Sequence, residues 1–187
     1  MPQFKFYKLF KVAFIIVGLI GLTIAVGSAY FYVKYYLSAH QSIQQHRDEG
    51  QNIFLNLSNP TEASCLITTE NRQSHWIYTV AGRPSDTNLS PSELRWRQYS
   101  IQFFAPLVFG QQDTVYLWLR CAHDNCHDDS VKSWSDVLFK QPQTQLNRQQ
   151  FAQLVALQRA PSRYLHDTVA LQQRAEELLR QAAVCLT

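Results

Sequence analysis

The most regular feature of the chain is an apolar run without a single charge, which covers residues 12–33 near the N-terminus. These 22 residues would rise about 33 Å as an α-helix, enough to cross a hydrocarbon core of about 30 Å. Aromatic residues crowd both of its ends, as in the belts at membrane–water interfaces. The pattern predicts one transmembrane helix over residues 12–33, preceded by a short tail of residues 1–11.

The charges around this run predict its orientation. Lys5, Lys8 and Lys11 precede it, whereas only Lys34 follows closely. Because positively charged flanks stay on the cytoplasmic side, the tail is expected in the cytoplasm and the C-terminal body across the membrane. A short Lys-rich tail and a compact exported body indicate the bacterial inner membrane, with the body in the periplasm.

A cleaved signal peptide is the alternative interpretation of the same segment. Gly27 and Ala29 are small residues, as positions −3 and −1 of a cleavage site require. The apolar run nevertheless continues to Val33 and exceeds the usual h-region of about 7–15 residues. Its length therefore favours an uncleaved anchor.

Small residues recur along the predicted transmembrane helix. Gly21, Ala25 and Ala29 are spaced by four, and Gly18 lies beside them. Such a stripe lets a second helix approach closely in a membrane, although small residues are also common in membrane helices generally. We interpret the four positions as a candidate transmembrane helix contact.

The body begins with a polar, helix-permissive segment over residues 34–50, interpreted as a stalk on which His40 and His46 face solvent. Residues 51–187 then form one extracytoplasmic domain, large enough to bury its own core. Its β-branched and aromatic stretches predict a small sheet. The predicted strands cover residues 52–57, 64–69, 75–80, 114–121 and, as either a strand or a helical turn, 134–139.

Helix signals complete the predicted domain. The sequence Ser90-Pro91-Ser92-Glu93 is a capping box and predicts a helix from Pro91 to about Phe104, ending before Pro106. Apolar residues at helical spacing predict a C-terminal helical hairpin, broken near Pro161 and packed onto the sheet. The predicted fold class is therefore α+β, with a single transmembrane helix, a small sheet and a C-terminal helical hairpin.

All four cysteines follow the apolar run, in the part expected to be exported. An even number of cysteines in an oxidising compartment predicts two disulfides, for which three pairings exist. Cys121 and Cys126 are close enough for a local bridge, which would leave Cys65 to pair with Cys185. The second bridge would close a loop of about 120 residues and stabilise the fold by about 4–5 kcal/mol in the chain-entropy model.

The segment from Cys121 to Asp129 is the densest group of ligand-type residues. A disulfide-clamped polar turn is the preferred interpretation, and no cofactor is expected. A metal site built on His123, His127 and Asp124 is an alternative, but it lacks a second ligand pair at a known zinc spacing. A haem attachment site is a further alternative, because Cys126 is followed by a histidine as in C-x-x-C-H motifs.

Composition and charge limit the function classes. Residues 1–34 hold four Lys and no acid, whereas residues 35–187 hold 13 Lys+Arg against 14 Asp+Glu. The body thus lacks the cationic surplus that binds nucleic acid. Four Trp, nine Tyr and 11 Phe disfavour disorder, and motifs of hydrolases, zinc proteases and P-loop proteins are absent from the sequence.

These features favour a non-catalytic, single-pass accessory, scaffold or assembly subunit of a membrane or envelope complex. Its partners would be the lipid bilayer and membrane proteins, contacted through the transmembrane helix and the exported domain. The plan resembles that of the bitopic subunits of bacterial secretion and division machines. An anchored periplasmic binder or inhibitor of the immunity type is the alternative, followed by a metal or redox protein that uses the 121–129 segment.

Overall fold

The structure is a computed structural model that describes residues 3–70, 76–83, 89–121 and 133–185, with the backbone alone for residues 3–11 and 13. Within these ranges all regular elements are helical and there is no β-strand. The predicted α+β fold with a small sheet is therefore wrong, and the chain has an all-α fold. The helices are α1 (Gln3–Phe31), α2 (Leu37–Leu55), α3 (Pro60–Glu70), α4 (Trp76–Ala81), α5 (Pro91–Val108), α6 (Gln111–Cys121), α7 (Trp134–Phe139), α8 (Arg148–Arg159), α9 (Pro161–Tyr164) and α10 (Thr168–Ala183).

The N-terminal third is one uninterrupted helical stretch. The π-helical turn Tyr32–Tyr36 joins α1 to α2 without a break in the helical backbone. The segment predicted as a stalk ending near Gly50 is helical, but α2 continues to Leu55. Its residues Ala39, Ile43, His46 and Gly50 are buried, so α2 is part of the folded body. His46, expected in solvent, is only 6% exposed.

Two hydrophobic cores lie on either side of α6. The first core joins α2 to α4 and α5 through residues such as Ile43, Ile77 and Ile101, and Leu117 of α6 belongs to it. The second joins α3, α8 and α10, and α6 contributes Trp118 to it. Because α6 has buried side chains facing both cores, it connects the half of the body next to α1 to the C-terminal half.

The predicted strands are helical for identifiable reasons. Residues 114–121 lie in α6, whose two buried sides give an apolar run that periodicity alone cannot distinguish from a strand. Residues 64–69 lie in α3, which begins at Pro60 after Asn59 accepts a hydrogen bond from the Glu62 amide. The pair Asn59-Pro60 is therefore a helix start and not a loop turn. Residues 52–55 lie at the end of α2, and residues 76–80 lie in α4. Residues 134–139 form α7, which agrees with the helical-turn alternative for that segment.

The predicted helix that begins at Pro91 and the two predicted C-terminal helices are confirmed. Ser90 and Glu93 form the predicted capping box of α5, although α5 continues through Pro106 to Val108. The C-terminal helices α8 and α10 flank the short α9, and they pack on each other and on α3. No sheet is present among the described residues for them to cover. The predicted disulfide between Cys65 and Cys185 is confirmed, with a Cα–Cα distance of 5.9 Å.

Candidate functional site at the exit of the N-terminal helix

Helix α1 has no covering partner along most of its described length. Its apolar side chains are exposed from Val12 onward, with Phe14 76% exposed and Val17 67% exposed. The helical stretch from Phe14 to Leu55, which begins within α1, is the single one among the described residues that is long and apolar enough to cross a membrane. Such a surface is unfavourable in water, so the structure has an N-terminal apolar helix that suits a membrane span or a signal helix.

The four predicted contact residues of α1 lie on this open surface. Gly18, Gly21, Ala25 and Ala29 are all exposed. A Cβ atom added at Gly18 or Gly21 would meet no atom within 4 Å. The chain itself therefore leaves the stripe free for another helix, and the predicted contact stays a prediction.

An aromatic collar surrounds the end of α1; it consists of Phe31, Tyr32, Tyr36, Trp96 and Phe104. The ring centroids of Phe31 and Trp96 are 5.0 Å apart, and those of Tyr32 and Phe104 are 5.2 Å apart. Tyr36 is fully buried and stacks obliquely on Phe104 at 5.7 Å. Burial, together with the nearby Tyr32 and Tyr78 phenols, raises the pKa of Tyr36 to about 12, so it stays neutral. The collar packs α5 directly against the end of α1.

Polar side chains reinforce the same junction. Arg97 of α5 donates from Nε to the Gly82 carbonyl at 3.0 Å and from Nη1 to Ser38 Oγ at 2.8 Å. Ser42 of α2 donates to the Ala81 carbonyl at 2.8 Å. Burial lowers the pKa of Arg97 from its high ordinary value, which leaves the side chain charged at neutral pH. Helices α2, α4 and α5 thus form one hydrogen-bonded unit below the collar.

A partly exposed ionic group joins α2 to α6 farther along. Glu49 Oε2 accepts from Arg120 Nε at 2.5 Å and lies 3.4 Å from His46 Nδ1, while Gln45 donates to Glu49 Oε1 at 2.9 Å. Burial opposes ionisation of Glu49, but the hydrogen bonds from Arg120, Gln45 and His46 outweigh it and lower the pKa of Glu49. Every oxygen of this carboxylate is occupied. Its chemistry is that of a structural ion pair and not of a general base.

The C-terminal half contains a cavity of about 380 Å³ between α3 and the start of α8. Its buried acid, Glu62, is paired with Arg148 and accepts a hydrogen bond from Asn59 Nδ2 at 3.0 Å. Gln143 closes one side and donates to the Leu119 carbonyl at 2.9 Å. This pocket offers neither a paired nucleophile and base nor a pair of free carboxylates among its described residues.

The cysteine- and histidine-containing segment falls largely outside the described residues. Cys121 is buried at the end of α6, 3% exposed. Cys126 and the alternative metal ligands His123, Asp124 and His127 lie outside the described ranges. The local disulfide, metal and haem interpretations therefore stay predictions. Among the described residues, no group of three or more His, Cys, Asp or Glu side chains is placed to hold a metal ion.

Comparisons with known proteins do not assign the chain to a class. No protein-family model matches it, and neither a curated protein nor a solved structure gives a significant match. The geometry described above is therefore the basis for a functional proposal.

The capping box predicts α5, but it does not indicate the exposed apolar face of that helix. Trp96, Tyr99, Phe103 and Leu107 follow one another at spacings of three, four and four residues, and all four are exposed. A helical-wheel projection of residues 91–108 would have revealed this apolar stripe.

Proposed function

We propose that the chain is a non-catalytic, single-pass subunit of a membrane protein complex, in which α1 spans the membrane and the helical body is held on the far side. The continuity of α1 with α2 carries the proposal. Tyr36, Ala39 and Ile43 follow directly on the membrane helix and are fully buried in the first core. A body attached in this way has a defined height and orientation above the bilayer, as a scaffold requires.

The flanking charges and the disulfide support the proposed orientation. Three Lys precede the apolar run and one follows, which favours a cytoplasmic N-terminus. The bond between Cys65 and Cys185 persists in oxidising compartments such as the bacterial periplasm. Together they support placement in the bacterial inner membrane with the body in the periplasm.

The open stripe of α1 is the proposed contact with a membrane partner. Gly21 and Ala25 expose the helix backbone, so a partner helix can approach without displacing any atom of this chain. Tight packing against small residues supplies the attraction that the hydrophobic effect does not supply between helices in lipid. The rigid link through the π-helical turn would then position the body against the periplasmic part of the same partner.

The test compares two single glycine substitutions in the full-length chain, expressed in its native membrane. Gly21→Ile fills the stripe. Gly27→Ile adds the same atoms on another face of the helix, about 240° around its axis from Gly21. Neither added Cβ would meet an atom of this chain within 4 Å, so both variants should fold. We expect chemical crosslinking and co-purification to lose the partner with Gly21→Ile, more completely with Gly21→Ile/Ala25→Ile, and to retain it with Gly27→Ile.

Two results would overturn this proposal. Equal recovery of the partner with all variants would show that the stripe only faces lipid. An alkaline phosphatase fused to the C-terminus should be active, because that enzyme folds only outside the cytoplasm; an inactive fusion at normal protein level would refute the orientation. The intact mass of the native chain adds a third check, since a chain starting near Tyr30 would identify a cleaved signal.

A further inference from the structure

Helix α5 carries an apolar stripe that the body leaves uncovered. Trp96, Tyr99, Phe103 and Leu107 are 48%, 59%, 64% and 74% exposed. They lie within about 80° of arc on the helix, and no charged residue falls between them on that face. The opposite face, with Ile101 and Ala105, is buried in the first core. An exposed apolar stripe of this kind marks a surface that contacts a membrane or another protein.

The stripe continues the lipid-facing surface of α1. A groove of about 520 Å³ separates the two helices; its lining includes Ser28, Phe31, Trp96, Tyr99, Phe103 and Phe104. Ser28 belongs to the uncharged run of residues 12–33. The groove therefore opens at the depth where the apolar run ends, next to the acyl chains that would surround α1.

The contacts at the collar place α5 across the exit of α1. Phe31 and Tyr32 are adjacent, yet their ring partners on α5, Trp96 and Phe104, are eight residues apart. Eight helical residues span about 12 Å, against about 1.5 Å for two neighbours. Phe104 also contacts Tyr36, but α5 as a whole packs mainly on the short turn Tyr32–Tyr36 and only slightly on α1. Contacts concentrated on one turn indicate that α5 crosses the end of α1 and extends sideways there.

We propose that α5 is an interfacial membrane helix, with its apolar stripe immersed in the leaflet from which α1 emerges and acyl chains in the groove. This inference rests on the proposed membrane anchoring of α1. The bilayer is the occupant because the stripe is continuous with the surface of α1 and is already at the bilayer's edge. Trp and Tyr are the side chains favoured at that depth. Exposed Arg95 and Lys34 flank the stripe, where they would meet phosphate headgroups.

Fluorescence quenching in reconstituted vesicles tests the depth of Trp96. Full-length protein would be placed in phosphatidylcholine–phosphatidylglycerol vesicles whose acyl chains carry bromine near the headgroup end. Of the other three tryptophans, Trp118 is buried, 1% exposed, Trp76 packs against both cores and Trp134 packs against the second core. We expect clear quenching of the wild type, loss of most of that quenching in Trp96→Phe, and no loss in the matched control Trp134→Phe.

A second pair of variants tests the face without removing the reporter. Phe103→Asp places a charge in the stripe and should reduce quenching of Trp96. Gln98→Asp adds the same charge to an exposed position on another face of α5 and should leave quenching unchanged. Equal quenching of wild type and Trp96→Phe, or equal effects of the two aspartates, would overturn the proposal and leave the stripe to a protein partner.

The same vesicles separate failure of this inference from failure of the anchor. Alkaline extraction releases peripheral proteins but not a membrane-spanning chain. A chain that resists extraction and shows no quenching of Trp96 would refute the interfacial helix alone. A chain that is extracted would refute the anchoring, and with it the basis of the inference.

Discussion

Replacement of Gly50 by alanine would test the closest approach between two helices in the body. A Cβ atom at this position of α2 would lie 1.9 Å from the carbonyl oxygen of Tyr116 and 2.5 Å from its carbonyl carbon. Both are backbone atoms of α6, so no side-chain rotation can relieve the clash. The two helices would have to separate.

The size of the effect follows from that separation. The closest common carbon–oxygen contacts are about 3.3 Å, so the helices must move apart by roughly 1.4 Å. A gap of about 0.5–1 Å already removes about a quarter to a half of the attractive dispersion energy of an atom pair. Helix α6 has buried side chains in both cores, including Leu117 and Trp118, so both cores would loosen. We expect this loosening to lower the free energy of unfolding by about 3–5 kcal/mol. The higher helix propensity of alanine offsets about 1 kcal/mol of that loss.

The net prediction is a decrease of about 2–4 kcal/mol in the free energy of unfolding, or roughly 5–15 °C in Tm. Circular dichroism of the detergent-solubilised full-length chain during heating measures it. Gln51→Ala, at the exposed neighbouring position of α2, is the control and should change Tm little. Gly82→Ala should be milder, because its nearest contact is the movable Cδ1 of Ile101 at 2.8 Å. A Gly50→Ala variant as stable as the wild type would refute the close approach of α2 and α6.

Two further predictions concern the covalent and ionic links. Cys185→Ser removes the disulfide that closes a loop of 120 residues and should lower the free energy of unfolding by up to about 4–5 kcal/mol. A reductant should lower Tm more in the wild type than in the variant. Equal shifts of Tm in the two proteins would contradict this prediction. Glu49 has a lowered pKa in the folded chain. Ionised Glu49 therefore contributes its full stabilisation of the fold above the ordinary pKa of 4.5, and this contribution is lost as the pH falls through the folded pKa. Glu49→Gln should therefore lower Tm near neutral pH by the equivalent of about 1 kcal/mol or less. The variant should also show a weaker dependence of Tm on pH below about 4.5. An unchanged dependence on acid pH would argue against the ion pair with Arg120.

Features that depend on neighbouring residues in the chain were predictable. The apolar run of α1 has no charge over residues 12–33, and its length alone indicates a helix that can cross a membrane. The start of α5 follows from Ser90 and Glu93, whose capping bonds join residues three apart. The spacing of apolar residues likewise indicated α8 and α10. Helix α10 has one buried side and one exposed side, whereas α8 is buried on most of its circumference.

Features that depend on surroundings distant in sequence were not predictable in this way. Helix α6 looked like a strand because Leu117 and Trp118 are buried on different sides, against cores built from separate parts of the chain. His46 looked solvated because the polar segment around it gives no sign that α6 packs against α2. Gly50 looked like a helix end, whereas its missing side chain admits the backbone of Tyr116. The sequence by itself determined the apolar N-terminal helix and the capped start of α5. Only the tertiary structure decided which sides of the helices are covered, because burial depends on which distant segments pack together.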